Sequence, residues 1–296
     1  MRYPTVKQLR YFVALVETEH FGEAAKACFV SQSAFSAAIQ ELESLLDVQL
    51  VDRTNRRVTI TALGKDVAVQ ARLCLRDLDS LVEMAGQRHK PLTGALRLGV
   101  IPTIAPFLLP ALLPKLRRAY PELKPYLFED QTERIHEDLL DGKLDVLLLA
   151  LPYDLKSVET MPLFKDHFCL AYRDNTKLVD PDSYRFNRLN AESVLLLEDG
   201  HCLRDHALDA CRIRNTEKVS RFAASSLLTL IEMVDADLGI SFLPAMAEGS
   251  VMLRNTRVKT YPLSESSYRQ IGLAWRKGSA RVEEFKLLGE FLTEVR

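Results

Sequence analysis

Apolar residues recur at threes and fours from the start of the chain. Val6, Leu9, Phe12, Val13 and Val16 share one helical face, and Thr5 stands before them as an N-cap. This spacing predicts a helix over 6–19, and a shorter one fits 22–28. Val30-Ser31-Gln32 interrupts the pattern, and Ser31 caps a third helix carrying Phe35, Ala38, Ile39, Leu42, Leu45 and Leu46. Two helices around a tight turn, the second longer and polar-faced, predict a helix-turn-helix. In VQLVDRTNRRVTIT, two β-prone runs flank Thr54-Asn55-Arg56-Arg57, a hairpin whose basic tip suits phosphates. From Thr61 to Gln87, Val67, Ala71, Cys74, Leu75, Leu78, Val82 and Ala85 form one amphipathic stripe. A helix of that length spans about 40 Å, and beside a small domain it is expected to be a dimerisation arm.

Lys90-Pro91-Leu92-Thr93-Gly94 ends this helix and marks the main domain boundary. The pattern then changes to apolar strands alternating with helices. LRLGVI precedes a helix over 105–118, PYLFED precedes one over 132–140, and LDVLLLAL is a continuous apolar strand. Further strands fit 167–172, 194–197, 239–243 and 271–275, with helices over 202–213, 225–236 and 280–295. This alternation predicts a parallel sheet covered on both faces.

Composition narrows the class. At 296 residues, 47% hydrophobic and 27% charged, the chain can fill two or three domains and is not disordered. Net charge is −1, and the first 65 residues carry eight Lys/Arg against seven Asp/Glu, so any nucleic-acid surface must come from clustering. Arg53, Arg56 and Arg57 form the best cluster. MRYPTVKQLRYF interleaves charge with its apolar residues, unlike a signal peptide, and no uncharged run approaches the roughly 18 residues of a membrane span. A cytoplasmic protein without membrane contact is expected, its five cysteines reduced.

Particular residues also carry a resemblance. Phe21-Gly22, Ala24-Ala25, Val30-Ser31-Gln32, Ser36, Leu42-Glu43, Leu50, Arg53 and Thr61-x-x-Gly64 are similar to the N-terminal signature of LysR-type transcriptional regulators. Ile101-Pro102-Thr103, Asp141-Gly142-Lys143-Leu144-Asp145, Leu197 to Asp205 with Cys211, and Ile271-Gly272-Leu273 resemble the peroxide-sensing OxyR branch. The fold this implies is an N-terminal all-α winged helix-turn-helix followed by an α/β, periplasmic-binding-protein-like effector module of two subdomains. The implied divisions are a DNA-binding domain over 1–60, a linker and dimerisation helix over 61–90, and a regulatory domain over 91–296. Within the last, 91–165 with 270–296 form one subdomain and 166–269 the other.

The stretch EDGHCLRDHALDAC, residues 198–211, holds two of the five cysteines. Thiolate, not thiol, attacks peroxide, and a cysteine in the first turn of a helix faces the positive end of its dipole. Asp199-Gly200 looks like the turn that starts such a helix, which places Cys202 at its N-terminus and predicts a lowered pKa, with Arg204 or a distant arginine helping. Cys202 and Cys211, nine residues apart, would be about 13 Å apart on one helix, too far for a disulfide. The spacing alone fits two buried cysteines as well as a switch. The resemblance implies the switch: Cys202 as peroxidatic thiol, oxidised to a sulfenic acid, and Cys211 as the resolving thiol. It also implies that Thr103, Thr132 and His201 hold peroxide, and that Asp205 and Arg269 pair around the sulfur. Thr103 and Thr132 follow strands where cleft ligands bind, although capping is the commoner role of Thr there. Cys202 and His206 have metal-pair spacing but no companion cluster, so no metal or other cofactor is expected. Cys28, Cys74 and Cys169 occupy apolar positions and are expected in the core.

On the DNA side the resemblance implies contacts from Ser31, Gln32, Ser33, Ala34, Ser36, Arg53, Arg56 and Arg57. Departures from the pattern lie at Ser33 and Ala34, at Gln40-Glu41 in place of two cations, at Asp47 in place of a turn glycine, at His206 in place of glutamine, and at Arg221 in place of histidine. Losing two cations should weaken phosphate contact. The expected protein is a homotetramer, a dimer of dimers, that binds double-stranded DNA at the bacterial nucleoid. It would contact RNA polymerase, respond to hydrogen peroxide by activating antioxidant genes, and be reset by a thiol reductant such as a glutaredoxin system. Two rivals remain: a LysR-type regulator whose cleft binds a small metabolite, with structural cysteines, and a thiol peroxidase. The chain has no P-loop, G-x-S-x-G elbow or dinucleotide fingerprint, so an enzyme is not expected.

Overall fold

The computed structural model describes residues 3–54, 57–86, 91–211 and 216–294. The side chains of 53, 54, 57, 80, 83–86 and 216 also lie outside the description. The chain divides into two compact units, Met1–Lys90 with Asp141–Lys143, and Pro91–Leu140 with Leu144–Arg296.

In the first unit, α1 spans Val6–Thr18, α2 Phe21–Ala27 and α3 Gln32–Leu46. Each start has a chemical cause. Thr5 and Gln8 form a reciprocal capping box at α1, and Ser31 Oγ accepts from Ala34 N at α3. His20 caps α2 through Nδ1, which accepts from Gly22 and Glu23 N–H groups. Phe12, Leu15, Phe35, Ile39 and Leu42 are fully buried together, so the three helices share one core. Strands β1 (Val51–Thr54) and β2 (Arg57–Ile60) pair antiparallel as the expected hairpin.

Helix α4 (Ala62–Gly86) follows, and its start explains the Thr61-x-x-Gly64 spacing. Thr61 Oγ1 donates to Gln49 O and accepts from Gly64 N, both at 2.9 Å. A Cβ on Gly64 would lie 2.3 Å from Leu50 O. Gly64→Ala should therefore destabilise the first unit by about 1–3 kcal/mol, read as a fall in its denaturant midpoint. An unchanged midpoint would mean that the helix start does not need this close approach. Farther along α4 the stripe is bare: Cys74, Leu78, Leu81 and Val82 are exposed. This corrects the expectation that Cys74 is core, because Ala68 is the last described α4 residue in the helix-turn-helix core.

The second unit opens with parallel strands linked by helices, as predicted: β3 (Gly94–Val100), α5 (Ala105–Ala119), β4 (Leu123–Glu129), α6 (Thr132–Leu140) and β5 (Val146–Leu151). Beyond β5 the parallel expectation holds only for the strands over 194–197 and 219–224 among the described residues. Strand β6 runs sixteen residues, Val158–Arg173, and pairs antiparallel with its neighbours. After β7 (Val194–Leu197), α7 (Cys202–Ala210), β8 (Val219–Ala224), α8 (Leu227–Asp235), β9 (Ser241–Pro244), α9 (Val251–Arg254) and β10 (Val258–Pro262) comes β11 (Tyr268–Arg276), antiparallel to both β5 and β6. Helix α10 (Val282–Glu294) is the last of the described elements. The sheet order is β10-β6-β11-β5-β3-β4, with β9 also on β6, while β7 and β8 pair separately.

The long strand β6 serves two apolar cores, and β11 serves the first of them. One gathers β3, β5, α5, α6 and α10, with Leu98, Leu147, Leu148 and Phe285 buried. The other gathers β7, β9 and α8, with Leu196, Ile231 and Phe242 buried. No helix of the described residues is long and apolar enough to cross a membrane.

Candidate functional site

The chain reaches the site through a forced turn. Gly200 has φ +97°, a conformation glycine favours, and a Cβ there would meet Gln131 Oε1 at 2.8 Å. His201 is then the N-cap of α7, although its side chain makes no capping bond. Cys202 is the first residue of α7, as the sequence predicted, and Cys211 is its C-cap. With the nine residues of α7 between those limits, the two Cα atoms are about 13 Å apart. Both thiols are free.

They also belong to different cores. Cys202, 5% exposed, packs into the cluster of β3, β5 and α6, whereas half-buried Cys211 packs against that of β7 and α8. Joining them requires both unwinding α7 and drawing a side chain out of an apolar cluster.

Around Cys202 stand Thr103, Thr132 and Arg269, all buried. Arg269 is fixed from several directions. Strand register sets it opposite Asp166, and its Nε donates to Asp166 Oδ2 at 2.9 Å. Its Nη1 donates to Thr103 Oγ1 at 2.8 Å and its Nη2 to Thr103 O at 2.9 Å. Met246 supports both partners: its Sδ lies 3.6 Å from Arg269 Nη2, and its N–H donates to Asp166 Oδ1. The expected Asp205–Arg269 pair is not formed. Asp205 is exposed on α7, and the buried carboxylate facing the guanidinium is Asp166. Arg204 is also engaged elsewhere, with Asp199 and the Leu197 carbonyl.

The expected lowering of the Cys202 pKa is reversed. Burial pushes the thiol above its ordinary value; the Thr132 hydroxyl and then the Arg269 charge oppose this, and Asp205 adds to it. Thr132 Oγ1 is buried beside the Cys202 sulfur and has no other hydrogen-bond partner among the described residues, so the hydroxyl is available to the thiolate. Burial also pushes Cys211 up to about 12. Cys169 likewise rises to about 12, through burial first and then its bond to Glu248. At neutral pH the site therefore rests as thiols. No His/Cys/Asp/Glu group able to hold a metal exists among the described residues.

Sequence reasoning missed Asp166, which lies 103 residues from its partner in the exposed-looking run Lys165-Asp166-His167. It also missed the contact that His206 makes with the Pro152 carbonyl. In the first unit, Ser31, Gln32, Ser33 and Ala34 are exposed at the start of α3, and Ser36 is half-buried. Ser31 and Ser33 Oγ atoms lie 3.2 Å apart. Arg53 and Arg57 fall on the hairpin strands with side chains outside the description, and Arg56 lies outside the described residues altogether.

Comparison with known proteins agrees with this architecture. Residues 6–65 match the bacterial regulatory helix-turn-helix protein, lysR family, and 89–296 match the LysR substrate binding domain. The chain is 39% identical to the HTH-type transcriptional regulator EstR of Acinetobacter baylyi, over 99% of this chain and 97% of that one. It is also 39% identical to the hydrogen peroxide-inducible genes activator of Haemophilus influenzae, over 93% and 91% respectively. A solved full-length OxyR variant from Pseudomonas aeruginosa has a TM-score of 0.82 at 33% identity, covering 99% of this chain and 95% of its own. The helix-turn-helix unit, the two-core α/β module and these matches together make the chain a member of the LysR family of transcriptional regulators, similar to its OxyR branch.

Proposed function

We propose that this protein is a hydrogen peroxide-responsive activator whose switch is the Cys202–Cys211 pair. The observation that carries the reading is the placement of the two thiols at opposite ends of α7, one of them beside Thr103, Thr132, His201 and Arg269. Cys202 thiolate attacks one peroxide oxygen; the O–O bond breaks, giving the sulfenic acid and hydroxide, which takes up a proton as water. Cys211 sulfur then attacks the Cys202 sulfur, and the S–S bond forms as water leaves. Thr132 and Arg269 favour the thiolate, while Arg269 fixes the Thr103 hydroxyl by donating to it. That disulfide needs Cα atoms within about 7 Å, so α7 unwinds and the local reaction becomes a segment refolding.

In this reading, residues 1–60 bind double-stranded DNA through Ser31, Gln32, Ser33, Ala34, Ser36, Arg53, Arg56 and Arg57. Residues 61–90 dimerise through the apolar face that α4 leaves bare, and 91–296 sense peroxide, with 91–165 and 270–296 as one subdomain and 166–269 as the other. A dimer of dimers contacts RNA polymerase on bacterial cytoplasmic DNA, and a thiol reductant of the glutaredoxin type resets the disulfide.

Treating the protein with a small excess of peroxide, mapping disulfides by peptide mass spectrometry and footprinting DNA in both states tests this. A Cys202–Cys211 linkage accompanied by a changed footprint is expected. A thiol at Cys202 while other sites oxidise would end the reading and favour the metabolite-binding regulator.

A further inference from the structure

His206 lies one turn after Cys202 on α7 and is nine-tenths buried. Its Nε2 is 2.9 Å from the Pro152 carbonyl oxygen, just beyond β5. A carbonyl only accepts, so Nε2 carries the proton and donates. The other nitrogen, Nδ1, is buried and has no hydrogen-bond partner among the described residues. The imidazole thus ties the redox helix to the chain leaving β5 through one bond.

We propose that His206 is a positioning residue for the redox segment, a neutral imidazole latch that holds α7 helical and releases it on protonation. The proposal rests on the peroxide reading only for its consequence; the latch itself is a property of the reduced protein. Protonation keeps the Nε2 bond but gives Nδ1 a hydrogen that finds no acceptor among the described residues. It also places a cation in a buried pocket.

The charged and titratable groups facing the ring leave that cation poorly compensated. Arg269 on β11 opposes it. Asp205 and Asp209 on α7 favour it, but both are exposed. Tyr153 and Asp154 follow Pro152 in the chain, β7 presents only apolar Val194–Leu197, and Cys202 on the same helix is held neutral by burial. Burial is the largest influence and lowers the His206 pKa below its ordinary value; the Pro152 carbonyl bond, the next influence, favours the protonated ring but does not outweigh burial. A buried imidazole with a depressed pKa binds fewer protons than the same ring exposed by local opening. The latch is therefore fully effective above the ordinary imidazole range near pH 6.5 and weakens as pH falls below it. Weakening continues until the depressed value is reached, by up to about tenfold in the opening equilibrium per pH unit.

The full-length reduced protein, without peroxide, provides the test. Amide hydrogen exchange over α7 would be followed between pH 5 and 8 and corrected for intrinsic rates, in wild type, His206→Gln and His206→Ala. Glutamine offers an N–H to the same carbonyl and does not titrate. We expect wild-type protection of α7 to fall several-fold toward pH 5, His206→Gln to keep its protection across the range, and His206→Ala to lack it at every pH. The same acid loss in His206→Gln, or none in wild type, would overturn the latch. A peroxide arm separates the two readings. In wild type, the rate of Cys202–Cys211 closure relative to His206→Gln should rise as pH falls. No disulfide in either protein would sink the peroxide reading and leave the latch standing on the exchange data.

Discussion

Replacing Cys211 with serine should strand the oxidation at its first step. Peroxide would add one oxygen to Cys202, but no disulfide would form, because serine cannot attack the sulfenic acid as a thiol does. The DNA footprint should remain that of the reduced protein, since α7 is never pulled open. Cys202→Ser should abolish even the first step. These are all-or-none effects on the switch, and the folded state should survive them, because each change exchanges one atom in a small side chain. Dimedone trapping followed by peptide mass spectrometry reads the difference: an adduct on Cys202 in Cys211→Ser, none on residue 202 in Cys202→Ser. Disulfide-dependent activation in Cys211→Ser through another cysteine would show that α7 is not the moving element. Cys169 bonds Glu248 and its pKa is raised to about 12, by burial first, so it is not a ready substitute.

The rate of the first step should carry the signature of a buried thiol. Because burial holds the Cys202 pKa above its ordinary value, adduct formation at limiting peroxide should keep rising with pH through and beyond the ordinary thiol range. A plateau near neutrality would show that the thiolate is stabilised by more than Thr132 and Arg269.

Local physics made much of this molecule readable. Capping by Thr5 and Ser31 and the 3.6-residue period of the first 46 residues fix three helices with little tertiary help. The turn at Gly200 announced the start of α7, and positions after parallel strands pointed to Thr103 and Thr132. What the sequence concealed were relations between distant segments. Strand β6 was legible only over 167–172, because its first half alternates buried and exposed positions irregularly around Pro162 and takes its register from β11. Strands β8 and β10 present mostly half-exposed residues, so their patterns resemble loops. The pKa of Cys202 was misjudged for a related reason. The first turn of α7 supplies a favourable dipole, yet the apolar cluster that buries Cys202 is gathered from β3, β5 and α6, which no reading of 198–211 reveals. Arg269 was legible by resemblance, but its counter-ion was assigned to nearby Asp205, whereas strand register delivers Asp166.

That counter-ion makes Arg269→Ala the substitution with the largest expected effect on stability. The Asp166 carboxylate, 4% exposed in the paired state, would keep only the Met246 N–H as a hydrogen-bond partner among the described residues. Removing one member of a buried ion pair costs about 3–5 kcal/mol, a large share of a domain's total stability. Thr103 would lose its donors as well, so peroxide reactivity should fall even in the fraction that stays folded. Arg269→Lys should recover only part of this. A lysine ammonium can approach Asp166, but it lacks the planar fork that reaches Thr103 Oγ1 and Thr103 O together. Urea unfolding of the reduced protein measures the loss, and the double replacement Arg269→Met with Asp166→Leu identifies its cause. If the deficit comes from an unpaired buried charge, the double variant regains most of the stability while its Cys202 stays slow toward peroxide. If both variants are equally unstable, the deficit lies in packing between β6 and β11. If Arg269→Ala unfolds at the wild-type urea midpoint, Asp166 is rehydrated or protonated at no cost, and the ion pair has no structural role. Because Arg269 joins Asp166 on β6 to the Thr103 turn after β3, stability and reactivity should separate in the double variant, which only a shared residue with two independent tasks explains.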